Sequence, residues 1–544
     1  MKSIFLSSVL MGAALLLSPV IGYANATEPL KGLPVQDSGR TKPFDTFARE
    51  SLEVVYGKSS FEKKPAYEIV MTWLLQPQVW QDKPIFEIKH HLVKRALSLP
   101  NDLKYISANE LLKNEKLSML LQELASMRES KEKLDPYGQA LQRLENQLFT
   151  FREIATGRMI RVVPTLESEA WKSLSELSPE EQADFVNITK VFVQGLDPNA
   201  PDSVRTELAK NIETFKDRAR ASAPDRYIAD NKIKAEVHYN GFHPFKWAWA
   251  FYLLAVVALT LFWILKQHRL VTAGWVLTSI GILFHLYGFG LRIYLSDRAP
   301  VSNMYETVVW VSFGTVLFAM IIEAIYKWRL ILTAGAAVGA FCLILTDFAP
   351  VVLDDSIQPL EPVLRSNFWL TVHVLTITIS YAAFFLAFAL GDIGLVMYLR
   401  DEKRYEERIR ALVMALYRSI QIGVAFLAPG IILGGIWADY SWGRFWGWDP
   451  KETWALIALL GYLAILHARL AGLLKNFGMI CTAILSFSLI IMAWYGVNFV
   501  LGAGLHSYGF GAGGVEYVSG FVALHVLAVI FVAVVRRGRM KQVK

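Results

Sequence analysis

The sequence contains very little cysteine. Its 544 residues include only Cys342 and Cys481, and each of them lies inside an apolar run. Such cysteines are typical of small buried apolar side chains, and the sequence has no dithiol redox motif. A protein that acts through thiol–disulfide exchange of its own cysteines is therefore excluded.

Charged residues are also scarce in the second half of the chain. The whole sequence is 54% hydrophobic, and the apolar residues are concentrated in residues 245–536, whereas residues 27–243 are polar and mixed. This distribution predicts a soluble domain followed by a polytopic membrane domain. The net charge of +7 comes largely from basic residues in short loops beside apolar runs. It therefore reports membrane topology, and no nucleic-acid partner is expected.

The start of the chain has the parts of a secretory signal. Lys2 is followed by an apolar run to about Ile21 and then by Ala-Asn-Ala at 24–26, a small-x-small cleavage pattern. We predict cleavage after position 26, and an uncleaved membrane anchor is the alternative. Both interpretations place the following soluble domain outside the cytoplasm.

Apolar runs of about 20 residues, the length that crosses a bilayer core, recur nine times in the second half. Basic residues cluster in every second connection between these runs and in the C-terminal tail, which predicts that those segments face the cytoplasm. The soluble domain, a tryptophan-rich segment at 442–450 and a glycine-rich loop at 501–517 then lie on the outer side. The nine runs are 245–266, 271–293, 304–326, 330–350, 368–400, 418–438, 452–471, 477–500 and 518–536.

The soluble part is predicted to be mostly helical. Stretches rich in Leu, Glu, Lys and Gln extend from Ser107 to Gln147 and from Pro179 to Arg220. No nucleophile, metal or phosphate motif is recognisable there. The predicted fold class is therefore mainly α, with about nine transmembrane helices preceded by a mostly helical outer domain. The predicted boundaries are a signal at 1–26, the outer domain at 27–243 and the membrane domain at 244–544.

The segment 442–450 reads Trp-Gly-Arg-Phe-Trp-Gly-Trp-Asp-Pro and lies between two apolar runs. On a helical or tightly turned backbone Trp442 and Trp446 lie one turn apart on the same face. The glycines at 443 and 447 then lie together on another face, where a broad planar ligand such as a porphyrin can approach the backbone. An interfacial aromatic belt is the alternative interpretation.

The end of this segment carries a helix-start signal. Trp448 completes the aromatic set, and Asp449, Pro450 and Glu452 fit the N-cap, N1 and N3 positions of the helix that follows. We therefore predict a capping box in which Asp449 is the cap. This structural role is compatible with a position beside a ligand, because the cap fixes where the tryptophan-rich segment ends and the next helix begins.

Two histidines flank the predicted outer face. His373 lies a few residues inside the outer end of the fifth apolar run, and His506 lies in the glycine-rich loop. Intramembrane ionisable side chains are usually kept for a function. Two imidazoles at one level, with an aromatic surface between them, predict bis-histidine ligation of a haem iron. For each residue taken alone, a hydrogen-bonded interfacial histidine is the alternative.

His467 is predicted to lie at the other end of its helix, roughly 25 Å from the predicted cap and near the cytoplasmic side. It cannot share a haem with His373, and His285 is in the outer half and badly placed to pair with it. The missing partner is either His268 in the first inner loop or a residue of a second protein. His285 and His525 are predicted to be polar packing residues.

The membrane half of the chain, about residues 245–536, resembles the CcsA (ResC) family of cytochrome c biogenesis proteins. This family belongs to the haem-handling superfamily named after the WWD motif. The WWD motif corresponds to residues 442–449 here. A segment at 33–45 also looks like the outer domain that precedes CcsA in longer, fused members. Further matching blocks are 298–306, 358–373, 463–467 and 495–508.

The resemblance implies that haem b enters at the inner side, crosses the protein and is presented to the two thiols of a Cys-x-x-Cys-His apocytochrome c. It implies His373 and His506 as outer haem ligands. It implies His467 as a transmembrane ligand whose counterpart belongs to a CcsB (ResB) subunit. No four-span CcsB portion precedes the outer domain in this sequence, so we expect a separate CcsB partner. A thiol-reducing protein that keeps the apocytochrome reduced is a further expected partner.

We therefore expect the CcsA subunit of a system II cytochrome c synthase, a component of a cytochrome c haem lyase in the bacterial inner membrane. No acid, base or nucleophile stands out as catalytic, since the porphyrin vinyls and the substrate thiolates supply the reacting groups. One alternative is a b-type electron-transfer subunit, which would favour histidine pairs across both leaflets. The other is a CcmC- or CcmF-like protein, which shares the aromatic motif. The outer domain and the blocks around His373 and His506 favour CcsA.

Overall fold

A computed structural model of the chain describes residues 25–129, 134–349, 353–360, 367–502 and 514–542. The chain forms two compact units that divide between Val237 and His238. Helices dominate both units, so the mainly α class is confirmed. Nearly all of the predicted signal lies outside the described residues. The assignment of 27–243 and 244–544 as separate domains stays a prediction.

Ten α-helices begin in the described part of the first unit, and both predicted helical stretches are confirmed as helical. The stretch that starts at Ser107 is divided at Asn114, whose backbone is extended. The helices are α1 (Phe44–Tyr56), α2 (Ala66–Leu75), α3 (Pro77–Gln81), α4 (His91–Ala96), α5 (Ala108–Lys113), α6 (Glu115–Glu129), α7 (Pro136–Ala155), α8 (Pro179–Gly195), α9 (Asp202–Ser222) and α10 (Asp230–Phe242).

Helix α8 illustrates why these segments are helical. The Ser178 side chain accepts a hydrogen bond from the Glu181 N–H, and the Glu181 carboxylate accepts one from the Ser178 N–H. This capping box satisfies N–H groups that a helix start leaves without partners. Phe185, Ile188 and Phe192 then fall on one side of the helix and are buried in the core of the unit.

Short strands accompany the helices of the first unit, and the sequence patterns did not predict them. A four-stranded sheet has the order β2-β1-β7-β8, and β3-β4 and β5-β6 form two antiparallel pairs. With two to four residues each, these strands are too short for a clear period-2 pattern. They are β1 (Pro34–Asp37), β2 (Arg40–Pro43), β3 (Ser60–Phe61), β4 (Lys64–Pro65), β5 (Pro84–Glu87), β6 (Tyr105–Ser107), β7 (Arg161–Val163) and β8 (Lys172–Ser173).

In the second unit, nine of the described helices are long and apolar enough to cross a membrane, which confirms the predicted number of spans. The chain is thus a multi-pass membrane protein. The spanning helices are α11 (Pro244–Leu265), α12 (His268–Ser296), α13 (Met304–Tyr326), α14 (Ile331–Phe348), α15 (Asn367–Asp401), α16 (Glu406–Trp442), α17 (Pro450–Leu470), α18 (Asn476–Ile491) with its continuation Met492–Leu501, and α19 (Val515–Gln542).

Helix α15 is the centre of this unit, since it packs against α13, α16, α18 and α19. Small side chains along it are buried together with Phe384 and Leu386. Small residues let helix backbones approach closely, and close packing is the main source of helix association inside a membrane. Its neighbour α16 has 37 residues and contains Pro429. Proline has no N–H to donate, so the hydrogen-bond ladder of α16 is interrupted one turn before that position.

The continuation of α18 is a π-helix over ten residues, Met492–Leu501. Single π turns are rare and occur often at functional sites, and a run of this length is rarer still. It ends at Gly502, which takes a left-handed conformation at φ +54°. The apolar pattern of 477–500 predicts a helix here but does not distinguish an α-helix from a π-helix.

Candidate functional site

A cleft opens at one end of the second unit. The starts of α13, α15 and α17 and the ends of α16 and of the π-helix contribute to its walls. It contains about 1100 Å³ of space between protein atoms, and this volume includes solvent at its open side. Two of the predicted site residues, His373 and Trp446, line the same cleft.

His373 is held by a neighbouring helix. Its Nδ1 lies 2.8 Å from the carbonyl oxygen of Gly430 in α16. A carbonyl can only accept, so Nδ1 donates, and the lone pair of the neutral ring is then on Nε2. An imidazole whose N–H is fixed by a carbonyl is the usual arrangement of a metal-ligating histidine.

A glycine ledge, formed by Gly430, Gly434 and Gly435 of α16, supports this histidine. A Cβ atom on Gly434 would lie 2.5 Å from Cε1 of His373, and one on Gly435 would lie 2.6 Å from the Phe445 ring. The absence of side chains at these positions therefore allows the imidazole and the loop after α16 to lie directly on the helix backbone.

Trp437 is the large buried side chain of this region, with 2% of its surface exposed. Its ring is nearly parallel to the His373 ring, with an interplanar angle of 7° and 6.5 Å between centroids. A further neighbour is Trp442, whose ring meets it edge-on at 4.7 Å. Trp442 thus reaches the histidine through Trp437, a residue that sequence reasoning did not select.

Of the two backbones considered for the tryptophan-rich segment, helical or tightly turned, the helical one is wrong. Helix α16 ends at Trp442, because Gly443 takes a left-handed conformation at φ +69° and caps it. Residues 444–448 are not helical. Trp446 therefore lines the cleft independently of Trp442, while Trp448 is 69% exposed and meets the Trp446 ring edge-on at 5.8 Å.

The two glycines of this segment have different surroundings. Among the described residues, nothing lies within 4 Å of a Cβ built on Gly443, which serves the turn. A Cβ on Gly447 would overlap the Arg444 guanidinium, with 1.8 Å to Nη1. Gly447 therefore makes room for a side chain of the same loop.

The predicted capping box at the start of α17 is confirmed. The Asp449 carboxylate accepts a hydrogen bond from the Lys451 N–H at 2.9 Å, and Glu452 accepts one from the Asp449 N–H at 3.1 Å. Glu452 also accepts from the Gly447 N–H at 2.8 Å and pairs with Arg444 at 3.2 Å. These contacts fix the loop after α16 onto the start of α17, so Trp446 is placed by a rigid support.

The π-helix supplies polar atoms to the cleft. Asn498 is buried, and its Nδ2 donates to the carbonyl oxygen of Trp494 at 2.8 Å. Within the described part of the chain, the Asn498 Oδ1 and the Trp494 Nε1 have no hydrogen-bond partner. Buried polar atoms without partners are costly and call for a bound group. The cleft thus offers an imidazole, indole rings and unsatisfied polar atoms, a set that fits a porphyrin with an iron centre.

Of the other two predicted iron ligands, His467 is described and does not line the cleft. His506 falls outside the described residues, so its pairing with His373 stays a prediction. His467 is near the far end of α17, exposed, with its Nδ1 donating to the Leu463 carbonyl of the same helix at 2.7 Å. His268 is the first residue of α12 and is also exposed.

Two further histidines are engaged in packing. His285 is fully buried, and its ring nitrogens lie 3.2 Å from the Tyr252 hydroxyl and 3.0 Å from the Val309 carbonyl oxygen. His525 donates to the Phe521 carbonyl of its own helix at 2.7 Å, and its Nε2 lies 3.5 Å from the Asp392 carboxylate of α15. Hydrogen bonds of this kind are typical of polar side chains that stabilise helix packing.

Comparison with known proteins agrees with this architecture. The family model described as "Cytochrome C assembly protein" matches residues 301–506, a range that contains the cleft. The CcsA protein of Parasynechococcus marenigrum is 33% identical over 290 residues, which cover 47% of this chain and 93% of that protein. The CcsA protein of Guillardia theta is 34% identical over 245 residues, covering 40% and 80%.

A longer relative matches both units. Protein NrfI of Wolinella succinogenes is 29% identical over 498 residues, which cover 86% of this chain and 53% of that protein. The chain thus spans about half the length of NrfI. Among solved structures, the cytochrome c haem lyase CcmF aligns with a TM-score of 0.39 and 15% identity over 55% of this chain and 50% of that one.

The fold and these comparisons together define a multi-pass membrane protein of cytochrome c assembly. The chain belongs to the CcsA family of cytochrome c biogenesis proteins.

Proposed function

We propose that this chain binds haem b in the cleft and presents it for covalent attachment to apocytochrome c. The observation that carries this proposal is His373, whose Nδ1–H is fixed by the Gly430 carbonyl while the ring lies on the glycine ledge. This arrangement leaves the lone pair on Nε2, the atom that an iron centre requires.

The other cleft residues support the same ligand. Trp446 and Trp494 offer flat apolar surface to a macrocycle, and such surface contributes through contact area. His506 is proposed as the second imidazole, on the strength of the family resemblance. Trp442, Trp448 and Asp449 act around the site: Trp442 packs on Trp437, Trp448 on Trp446, and Asp449 caps α17.

The work of the chain is positioning. Haem and the apocytochrome supply the reacting groups, namely the vinyl carbons and the two thiols of Cys-x-x-Cys-His. The protein holds the macrocycle in one orientation, and a fixed orientation lowers the entropic part of the barrier. A separate thiol-reducing protein would keep the substrate cysteines reduced.

A second haem position involves His467. Counted along α17 from Pro450, this residue lies about 25 Å from the cleft end of the helix. We propose that it ligates haem in transit and that a CcsB subunit supplies the opposite ligand. The basic clusters of the sequence support an inner-membrane orientation with the cleft at the periplasmic side and a cytoplasmic C-terminus.

Co-expression tests this function. The chain is produced with a candidate CcsB and a Cys-x-x-Cys-His apocytochrome in a host without its own maturation systems, and covalent haem is detected on the cytochrome. We expect covalent haem with the complete set and none with His373→Ala. Haem that is reduced by quinol but never transferred would indicate a b-type electron-transfer subunit instead. Transfer that needs no CcsB would contradict the two-subunit model.

A further inference from the structure

Lys451 is a cation in the lining of the cleft, together with His373 and Trp446. It is the second residue of α17, directly after Pro450. Its backbone N–H donates to the Asp449 carboxylate. Its side chain is partly buried. The helix cap uses only the backbone N–H of Lys451, so the cap does not account for a lysine side chain at this position.

Neighbouring cations of the second unit are paired. Arg292 lies 2.8 Å from Glu306, and both side chains are buried. Arg444 lies 3.2 Å from Glu452. Within the described residues, by contrast, the Lys451 ammonium has neither a hydrogen bond nor an ion pair. Lys451 is therefore a cleft cation that forms no direct ion pair with the described part of the chain, although the Asp449 carboxylate attracts it without direct contact.

The two carboxylates that adjoin Lys451 in the chain, Asp449 and Glu452, have other partners. Glu452 accepts hydrogen bonds from the N–H groups of Gly447 and Asp449 and from Arg444. Asp449 accepts from the N–H groups of the first turn of α17. Turning either carboxylate towards Lys451 would break the capping box. A partly buried cation without a direct ion pair is costly, so an anion bound beside Lys451 would stabilise this arrangement.

We propose that Lys451 binds a carboxylate at the periphery of a tetrapyrrole, which for haem is a propionate. This inference rests on the proposed function and adds the contact that orients the ligand within its plane. His373 would ligate the iron, Trp446 would pack against the face of the ring, and Lys451 would pair with the carboxylate at its edge. An ammonium that forms an ion pair with a carboxylate at one edge favours binding of a dicarboxylic porphyrin over a neutral porphyrin of the same size. The phosphate of a lipid headgroup is the other source of an anion at such a site.

Binding of two probes to the purified full-length chain in detergent tests this contact. The probes are iron protoporphyrin IX and its dimethyl ester, which keeps the iron and the ring and lacks both negative charges. The variants are Lys451→Met, Lys451→Arg and, as the matched control, Lys246→Met, an exposed lysine of α11 outside the cleft. Thermal unfolding of each variant establishes that the chain is folded, and the Soret spectrum reports the iron ligands.

We expect Lys451→Met to weaken binding of iron protoporphyrin IX about tenfold, as for loss of a hydrogen bond to a charged group. The dimethyl ester should bind the wild type and Lys451→Met equally. Lys451→Arg should retain most of the affinity, and Lys246→Met all of it. The Soret spectrum of the haem that still binds should be unchanged, since His373 is not altered.

Three results would overturn the contact. Equal weakening of both probes by Lys451→Met would mean that the lysine acts through the structure or through a lipid phosphate. Unchanged binding of both probes would mean that it contributes nothing. A wild type that prefers the ester would mean that the cleft does not select a carboxylate. If the wild type bound neither probe, the proposed haem function itself would fail, which is a separate outcome.

Discussion

His373 and His467 both belong to long helices of the same unit, yet they are held in different ways. The Nδ1 of His373 donates to a carbonyl of a different helix, and its ring lies on the glycine ledge beside Trp437. The Nδ1 of His467 donates to a carbonyl one turn earlier in its own helix, and the side chain is exposed.

Under the proposed function, this difference separates a site that is already built from one that a partner completes. Several elements of the fold orient His373, so its ring direction is fixed before any ligand arrives. His467 receives its orientation from its own helix alone. A second ligand and the walls around it must therefore come from outside this helix, which is where a CcsB subunit would contribute.

The largest expected effect is at the built site. His373→Ala should abolish cytochrome maturation, because it removes the proposed iron ligand of the cleft. Added imidazole should partly restore maturation by filling the coordination position, as measured by covalent haem on the cytochrome. His506→Ala is expected to behave in the same way. Normal maturation in His373→Ala would remove this residue from the ligand set.

His467→Ala should affect haem content only when the partner is present. Expressed alone, the chain should bind haem poorly at this position, and co-expression with CcsB should raise the haem-to-protein ratio. His467→Ala should cancel that increase, because it removes this chain's half of the shared site. The control is His268→Ala, the intrachain alternative. A stable inner haem in the isolated chain that disappears in His268→Ala would contradict the shared site.

Gly434→Ala tests whether the glycine ledge is responsible for the fixed orientation of His373, which His467 lacks. The added Cβ would lie 2.5 Å from the imidazole, so the ring must move off the helix. We expect haem affinity to fall about tenfold, given the sensitivity of such sites to displacements near 1 Å. Gly290→Ala is the matched control, since that helical glycine has open space around it. Equal affinities for the two variants would show that the ledge has no influence on the ligand.

Trp446→Ala should weaken haem binding by about twofold to tenfold through loss of aromatic contact. Trp446→Phe should lose less, because it keeps part of the ring area. Trp442→Ala should also reduce bound haem, through loss of support for Trp437. Trp448→Ala provides the comparison, since its side chain is 69% exposed and outside the cleft lining. Full haem content in Trp446→Ala would reject the aromatic surface as a binding element.

The smallest effect is expected for Asp449→Asn. Asparagine caps helices as well as aspartate does, so maturation should change by less than about twofold. The measurement is again covalent haem, with thermal unfolding as a check on the cap. A complete loss of maturation would reveal a direct role of the Asp449 carboxylate in haem handling.

The sequence predicts the helices of the second unit well because each apolar run has the length of a bilayer core. It also predicts the Asp449 cap, since this signal is local. The sequence does not predict the roles of Trp437 and the glycine ledge. These roles depend on a contact between α15 and α16, in which His373 and Gly430 are 57 residues apart in the chain. Spacing inside one helix does not reveal which neighbour it faces.

Two other misses had readable signals. Gly443 follows the last residue of α16, and a glycine at that place commonly ends a helix in a left-handed conformation. Asn498 is a polar residue inside an apolar run, where such side chains are usually functional. Lys451 was hidden by its neighbours, since the capping pattern of Asp449 and Glu452 accounts for the residues on both sides of it.

The length and composition of α16 have a mechanical consequence. Its 37 residues make a rod about 55 Å long, and its hydrogen-bond ladder is interrupted only next to Pro429 among its described residues. That weak turn is immediately before Gly430, where the ledge begins. A bend there would tilt the surface on which the His373 ring lies, because Gly430 and Gly434 follow the proline within the same helix. The stiffness of this helix, together with the weaker turn beside Pro429, would set how firmly the His373 ring is held in one orientation.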